Sequence, residues 1–153
     1  MPTIAAAGQT IFASQINSIG LVGSIISTNT NGTVTSSTTE TVDAVLGTLT
    51  FTALAARTYR VNLIGRGING SVVGDRFSVK FRYTVDGSTP TAASTLIDHD
   101  TTSVTAASVF SFVHQALFVP GAATVKVVVS FQRLSGTGTA TPSGQCQFFA
   151  EAL

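Results

Sequence analysis

Residues 77 to 85 read Phe-Ser-Val-Lys-Phe-Arg-Tyr-Thr-Val. Apolar or aromatic side chains at Phe77, Val79, Phe81, Tyr83 and Val85 alternate with Ser78, Lys80, Arg82 and Thr84. A period of two separates the two sets onto opposite faces of a β-strand, which no helix can do. At about 3.4 Å per residue the segment spans roughly 30 Å, with one face buried and one wet. Such a strand restricts the rest of the fold. It needs antiparallel neighbours with the same alternation, and a second layer over its apolar face.

Neighbours of that kind recur along the chain. In "VLGTLTFTA" Leu49, Phe51 and Ala53 share one face, and in "TYRVNLI" Tyr59, Val61 and Leu63 do. "LVGSIIST", "STLIDHD", "ASVFSFVHQALFV", "TVKVVVSFQRL" and "QCQFFAEAL" complete a set of about eight strands. They are punctuated by turn signals such as Asn31-Gly32, Asp86-Gly87 and Pro120-Gly121. "SGTGTATPSG" reads as a loop. The composition agrees: 24 threonines and 14 glycines stand against two lysines and two glutamates, so strand formers abound and long charged helix formers are scarce. The expected fold class is an all-β antiparallel sandwich. Its core should include Phe51, Tyr59, Phe77, Phe81, Phe110, Phe112 and Phe131.

One short helix is expected, over 11–20. Phe12, Ile16 and Ile19 form a single apolar stripe, and Gly20 fits the terminating position. Two turns do not hold alone in water, so this segment should dock on its own domain or on a partner. The chain therefore divides into an N-terminal segment, 1–20, and one domain, 21–153.

Gly65, Gly67 and Gly70 spell the G-x-G-x-x-G of dinucleotide sites, with Asp86 about where a ribose-binding acid would stand. That chemistry requires a helix after the glycines, whose N-terminal amides hold the pyrophosphate. Here Gly74 follows, and the period of two has taken over by Phe77. The glycines are read as a connection between antiparallel strands, and no cofactor is expected. No nucleophile elbow, phosphate loop or paired metal-ligand spacing occurs, so no catalytic residue and no metal site is assigned.

Asp98-His99-Asp100 alternates faces on a strand, so the three cannot converge on one ion without a sharp bend; a solvated strand end is expected, with a weak cation site as the alternative. His114 shares a face with Phe110, Phe112, Ala116 and Phe118. It reads as a hydrogen-bonded core or interface histidine, or as a pH-sensitive subunit contact. Cys146, the one cysteine, is in phase with Phe148 and Ala150 and reads as a buried thiol.

The formal net charge is +1, too small for a whole-chain field that recruits nucleic acid. Six of the eight basic residues lie between Arg57 and Arg82, but strand alternation scatters them, so a solvated face or interface ion pairs is expected, with anion recognition as the alternative. No apolar run reaches the ~18 residues of a membrane span, and membrane insertion is not expected. Only 10% of residues are charged, against about 25% in ordinary soluble domains.

The strand over 107–119 carries Val109, Val113, Leu117 and Val119 on its second face, and 124–134 carries Val128 and Leu134. A strand apolar on both faces needs cover on both. Val109, Val113, Leu117 and Val128 are accordingly the expected contacts between subunits of a homo-oligomer.

"TFTALAARTYRVNLIGRGINGSVVGDRFSVKFRYTVDGST" and "FQRLSGTGTATPSGQCQFFAEAL" resemble accessory virion proteins of bacteriophages of actinobacteria. The shared pieces are Thr50 to Ala53, Tyr59 to Val61, Val73 to Asp75, and Arg133 to Thr139. "GQTIFASQINSIG" resembles the N-terminal segments of phage minor tail proteins. The resemblance implies a jelly-roll domain and a non-enzymatic virion module, most often a trimer. Phe12, Ile16 and Ile19 would attach it to other virion proteins, and its loops would face the host surface, where a glycan could be met. Two other readings are a capsid decoration protein at local three-fold positions and a free carbohydrate-binding module. The missing tryptophan and the inward phase of most aromatics weigh against the last.

Overall fold

The computed structural model describes residues 21–33, 35–104, 110–143 and 146–153. The segment 1–20, with its expected helix and with Phe12, Ile16 and Ile19, lies outside them, as does Val109. Ten strands occur among the described residues: β1 (Leu21–Thr28), β2 (Thr41–Val42), β3 (Leu49–Ala53), β4 (Tyr59–Gly70), β5 (Arg76–Thr84), β6 (Thr95–Ser103), β7 (Phe110–Phe118), β8 (Ala123–Ser135), β9 (Ala140–Ser143) and β10 (Cys146–Ala152). Every ladder between them is antiparallel.

The strands form two sheets. The first has the order β1-β10-β4-β7, with β9 also on β4; the second has the order β2-β8-β5-β6, with β3 also on β8. Strands β2 and β3 lie end to end along one edge of β8, as β9 and β10 do along one edge of β4. Counted as interrupted single strands, these pairs reduce ten to eight. Their orders are then first-eighth-third-sixth and second-seventh-fourth-fifth, the connectivity of a jelly roll.

Alternation builds the core. Leu49, Phe51 and Ala53 of β3, Tyr59, Val61 and Leu63 of β4, Phe77, Val79 and Phe81 of β5, Val125, Val127, Val129 and Phe131 of β8, and Phe148 and Ala150 of β10 all point between the sheets and are buried. Each large side chain hidden this way contributes roughly 1.5–3 kcal/mol. The expected core members Phe51, Tyr59, Phe77, Phe81 and Phe131 are among them. The side chains of Phe110 and Phe112 lie outside what the structure describes. Phe118 meets Tyr83 at 5.1 Å and Tyr59 at 6.4 Å between ring centroids. The buried Tyr59 hydroxyl accepts a 2.7 Å hydrogen bond from the Leu54 amide, so its polar atom is satisfied.

Three sequence expectations need correction. The glycines of 65–70 do not connect two strands but lie inside β4, because β9 supplies a partner for Gly67 to Gly70. Gly65, at φ +79°, makes the bulge between Ile64 and Arg66. Gly70 sits so close to Val104 that any Cβ would collide with its Cγ2. The "SGTGTATPSG" loop contains strand β9. Val85 falls beyond β5 and is exposed, because the chain is already entering the Asp86-Gly87 turn.

Candidate interaction face

Each sheet has an outer face, and the two are finished differently. On the second sheet Lys80 and Arg82 of β5 reach across β8 to Glu40, which precedes β2 on the far side. Arg82 donates to the Glu40 carboxylate through Nε at 2.9 Å and Nη2 at 2.7 Å, and Lys80 Nζ donates at 2.8 Å. Lys80 also donates to Gln132 Oε1 at 2.6 Å, and the Ser130 hydroxyl donates to Glu40 at 2.5 Å. Burial alone would raise the Glu40 carboxyl. The hydrogen bonds from Arg82, Lys80 and Ser130 outweigh it and bring the pKa from 4.5 down to about 2.

This network corrects one expected contact. Val128 does face outward, opposite Arg82 in register. It is nevertheless only 1% exposed, and the ion pairs of Lys80 and Arg82 with Glu40 cross β8 on the same side. Val128 stands apart from the core cluster and is not available to a neighbouring subunit.

Among the described residues the first sheet has no such cover. Along the outer face of β7, Val113 and Leu117 are 55% and 60% exposed, and Val119 just beyond is 58% exposed. Between them, Gln115 donates to Asn62 Oδ1 at 2.7 Å. Opposite Val113 and Leu117 on β4 stand Ile64 and Arg60. Arg60 is held by Glu151 of β10 through Nε at 2.9 Å, so its charge is neutralised within the face. The result is an apolar column along an edge strand, bordered by amides and a closed ion pair. Two of the expected contacts, Val113 and Leu117, thus share one exposed surface.

The shared motif pieces Val73 to Asp75 and Arg133 to Thr139 meet in space. The buried Asp75 carboxylate accepts a 2.6 Å hydrogen bond from the Gly138 amide. Gly136 packs against its Oδ1 so closely that a Cβ could not fit. Arg133 Nη1 donates to the Gly138 carbonyl at 2.8 Å. These residues pin the β8–β9 loop to the turn between β4 and β5, which is a structural clamp.

The remaining candidates are spread out. Asp98, His99 and Asp100 lie exposed on β6. His114 is buried and stacked on Phe81, and Cys146 is a buried thiol. Among the described residues no group of three His, Cys, Asp or Glu side chains could hold a metal ion. Sequence reasoning missed the Glu40 network and the Arg60–Glu151 pair. The outward phase of Lys80, Arg82 and Arg60 was readable, but their acidic partners are 40, 42 and 91 residues away.

No protein-family model matches the chain, and no curated protein matches it. Similar solved structures include TmCBM61 in complex with beta-1,4-galactotriose, with 13% identity and a TM-score of 0.35 over 78% of this chain and 68% of that one. A CBM4 structure has 11% identity and a TM-score of 0.37 over 84% and 94%. A chain of the infectious bursal disease virus Gx strain structure has 11% identity and a TM-score of 0.38 over 87% of this chain and 30% of that one. At these levels no residue role transfers to this chain.

Proposed function

We propose that this protein is a non-enzymatic structural module of a bacteriophage virion, displayed as a homotrimer and fixed to the particle by residues 1–20. The observation that carries the reading is the apolar column Val113, Leu117 and Val119 on the uncovered outer face of the first sheet. A charge-poor chain that leaves this column open, while covering the equivalent face of the other sheet itself, is built to meet copies of itself. The clamp between Asp75 and the 133–139 loop supports the resemblance to accessory virion proteins, because two separate shared pieces form one unit.

The module is placed at the tail or tail tip, with capsid decoration as the competing location. Electron microscopy of particles carrying an affinity-labelled copy tests both. Label on the tail supports the proposal, and label over the capsid shell replaces tail with decoration. Absence from purified particles overturns the virion reading. Removing residues 1–20 should leave a folded domain that no longer joins particles, and normal incorporation of the shortened chain would place attachment elsewhere.

A further inference from the structure

β6 is the edge of the second sheet and β7 the edge of the first, and the two face each other along one seam of the sandwich. His114 of β7 is 5% exposed there. Its ring stacks on Phe81 of β5, with 4.4 Å between centroids and 26° between planes. Phe81 stacks in turn on Phe148 of β10. Leu63 is the β4 residue opposite His114 in register. Thus β4 and β5 present apolar side chains to the imidazole, and Phe148 of β10 backs Phe81. Charge reaches it from β6, as Asp98, Asp100 and the ring of His99. The Asp98 backbone takes part in a hydrogen bond with the ring. Nε2 is buried and has no hydrogen-bond partner among the described residues.

A neutral ring tolerates this site, because Nε2 then carries only a lone pair. A proton from solvent turns Nε2 into a donor with no acceptor, and puts a charge into an apolar stack. Asp98 and Asp100 offer acceptors, but they lie on the exposed β6 at the mouth of the seam.

We propose that His114 is an acid-sensitive latch on the β6–β7 seam. Neutral, it closes the seam by stacking on Phe81. Protonated, it turns toward Asp98 and Asp100, and the seam opens. Burial is the largest influence on His114 and lowers its pKa from the ordinary 6.5, while the two carboxylates push the other way and do not overcome it. The closed form therefore binds the proton less well than the open one. Closure is fully favoured above pH 6.5 and weakens as pH falls through that value toward the lowered pKa of the closed form. As pH falls below the ordinary pKa, the open form gains population over the closed one.

Hydrogen exchange of the wild-type protein at pH 7.5 and 5.5, corrected for intrinsic exchange rates, tests this. Protection of β6 and β7 amides should fall at the lower pH, while β3 and β8 amides hold. His114→Gln should abolish the pH response, and His114→Phe should abolish it with the seam closed at both pH values. If the Phe variant does not fold, the Gln variant decides. Asp98→Asn with Asp100→Asn should shrink the response by removing the negative charges that favour the imidazolium of the open form. Protection that does not change with pH in the wild type overturns the latch. So does an unchanged response in His114→Gln, or a His114 ring that titrates at or above 6.5 by NMR.

Discussion

At the scale of single residues, two positions concentrate the packing demands of the fold. Phe81 is fully buried between His114 and Phe148, so its removal opens a hole lined by two rings. Phe81→Ala should cost about 3–5 kcal/mol in urea unfolding with the slope unchanged. A cost under about 1 kcal/mol would mean that the ring does not sit in the core. Gly70 makes a different demand, because Val104, itself 1% exposed, occupies the space a Cβ would need. Gly70→Ala should cost about 1–3 kcal/mol by overpacking. Val104→Ala in the same chain should recover part of that loss, and the double-mutant cycle should show a coupling of at least about 0.5 kcal/mol. Additive effects would show that the two side chains do not compete for one volume. The three glycines that mimic a nucleotide loop are thus explained by a bulge at Gly65, a pairing with β9 and the contact at Gly70.

At the scale of elements, the acid response of β2 follows from Glu40. This two-residue strand is too short to hold by its own ladder, and the ion pairs of Glu40 with Lys80 and Arg82 tie it across β8. The Glu40 carboxyl is held at about 2 against 4.5 when free. Its stabilisation, roughly 3 kcal/mol, is therefore present above pH 4.5 and is lost as pH falls toward 2. Glu40→Gln should lose most of it at pH 7. The gap between wild type and variant in chemical denaturation should then close as pH falls from 5 to 2. A gap that stays constant over that range would show that the carboxylate is not held by its partners. The same network marks where sequence reading stops. The alternation in β3, β4, β5 and β8 named the inward residues, because period two is a local property of the chain. Val128 was rightly placed on an outer face, but it is buried there beside a network built on Glu40, 90 residues before Ser130 in a threonine-rich stretch, which no local period signals. Strands β2 and β9 escaped for the same reason. Their residues become strand only because β8 and β4 offer edges to pair with.

At the scale of the whole molecule, the two sheets make opposite uses of their outer faces, and assembly follows from the difference. The second sheet covers Val128 within the chain, so the interface expected from both strands 107–119 and 124–134 narrows to the first sheet. There Val113, Leu117 and Val119 stand more than half exposed on or just beyond β7, whose second edge carries no strand among the described residues. No Lys, Arg, Asp or Glu occurs from 110 to 119 to guard it. The edge of the other sheet at the same seam, β6, is guarded by Asp98, His99 and Asp100, so association should proceed through β7. A narrow column suits convergence on a shared axis, where each subunit meets two neighbours, and the proposed trimer would make that axis three-fold. Light scattering at micromolar concentration should give three times the 15.7 kDa of one chain. Leu117→Asp with Val113→Asp should reduce the mass to one chain. Because both side chains are largely in solvent within a subunit, thermal unfolding of the separated variant should keep a single cooperative transition. A wild type with the mass of one chain would remove the trimer and the argument from the open face together. A mass of two chains would keep the face and replace the three-fold axis with a two-fold one.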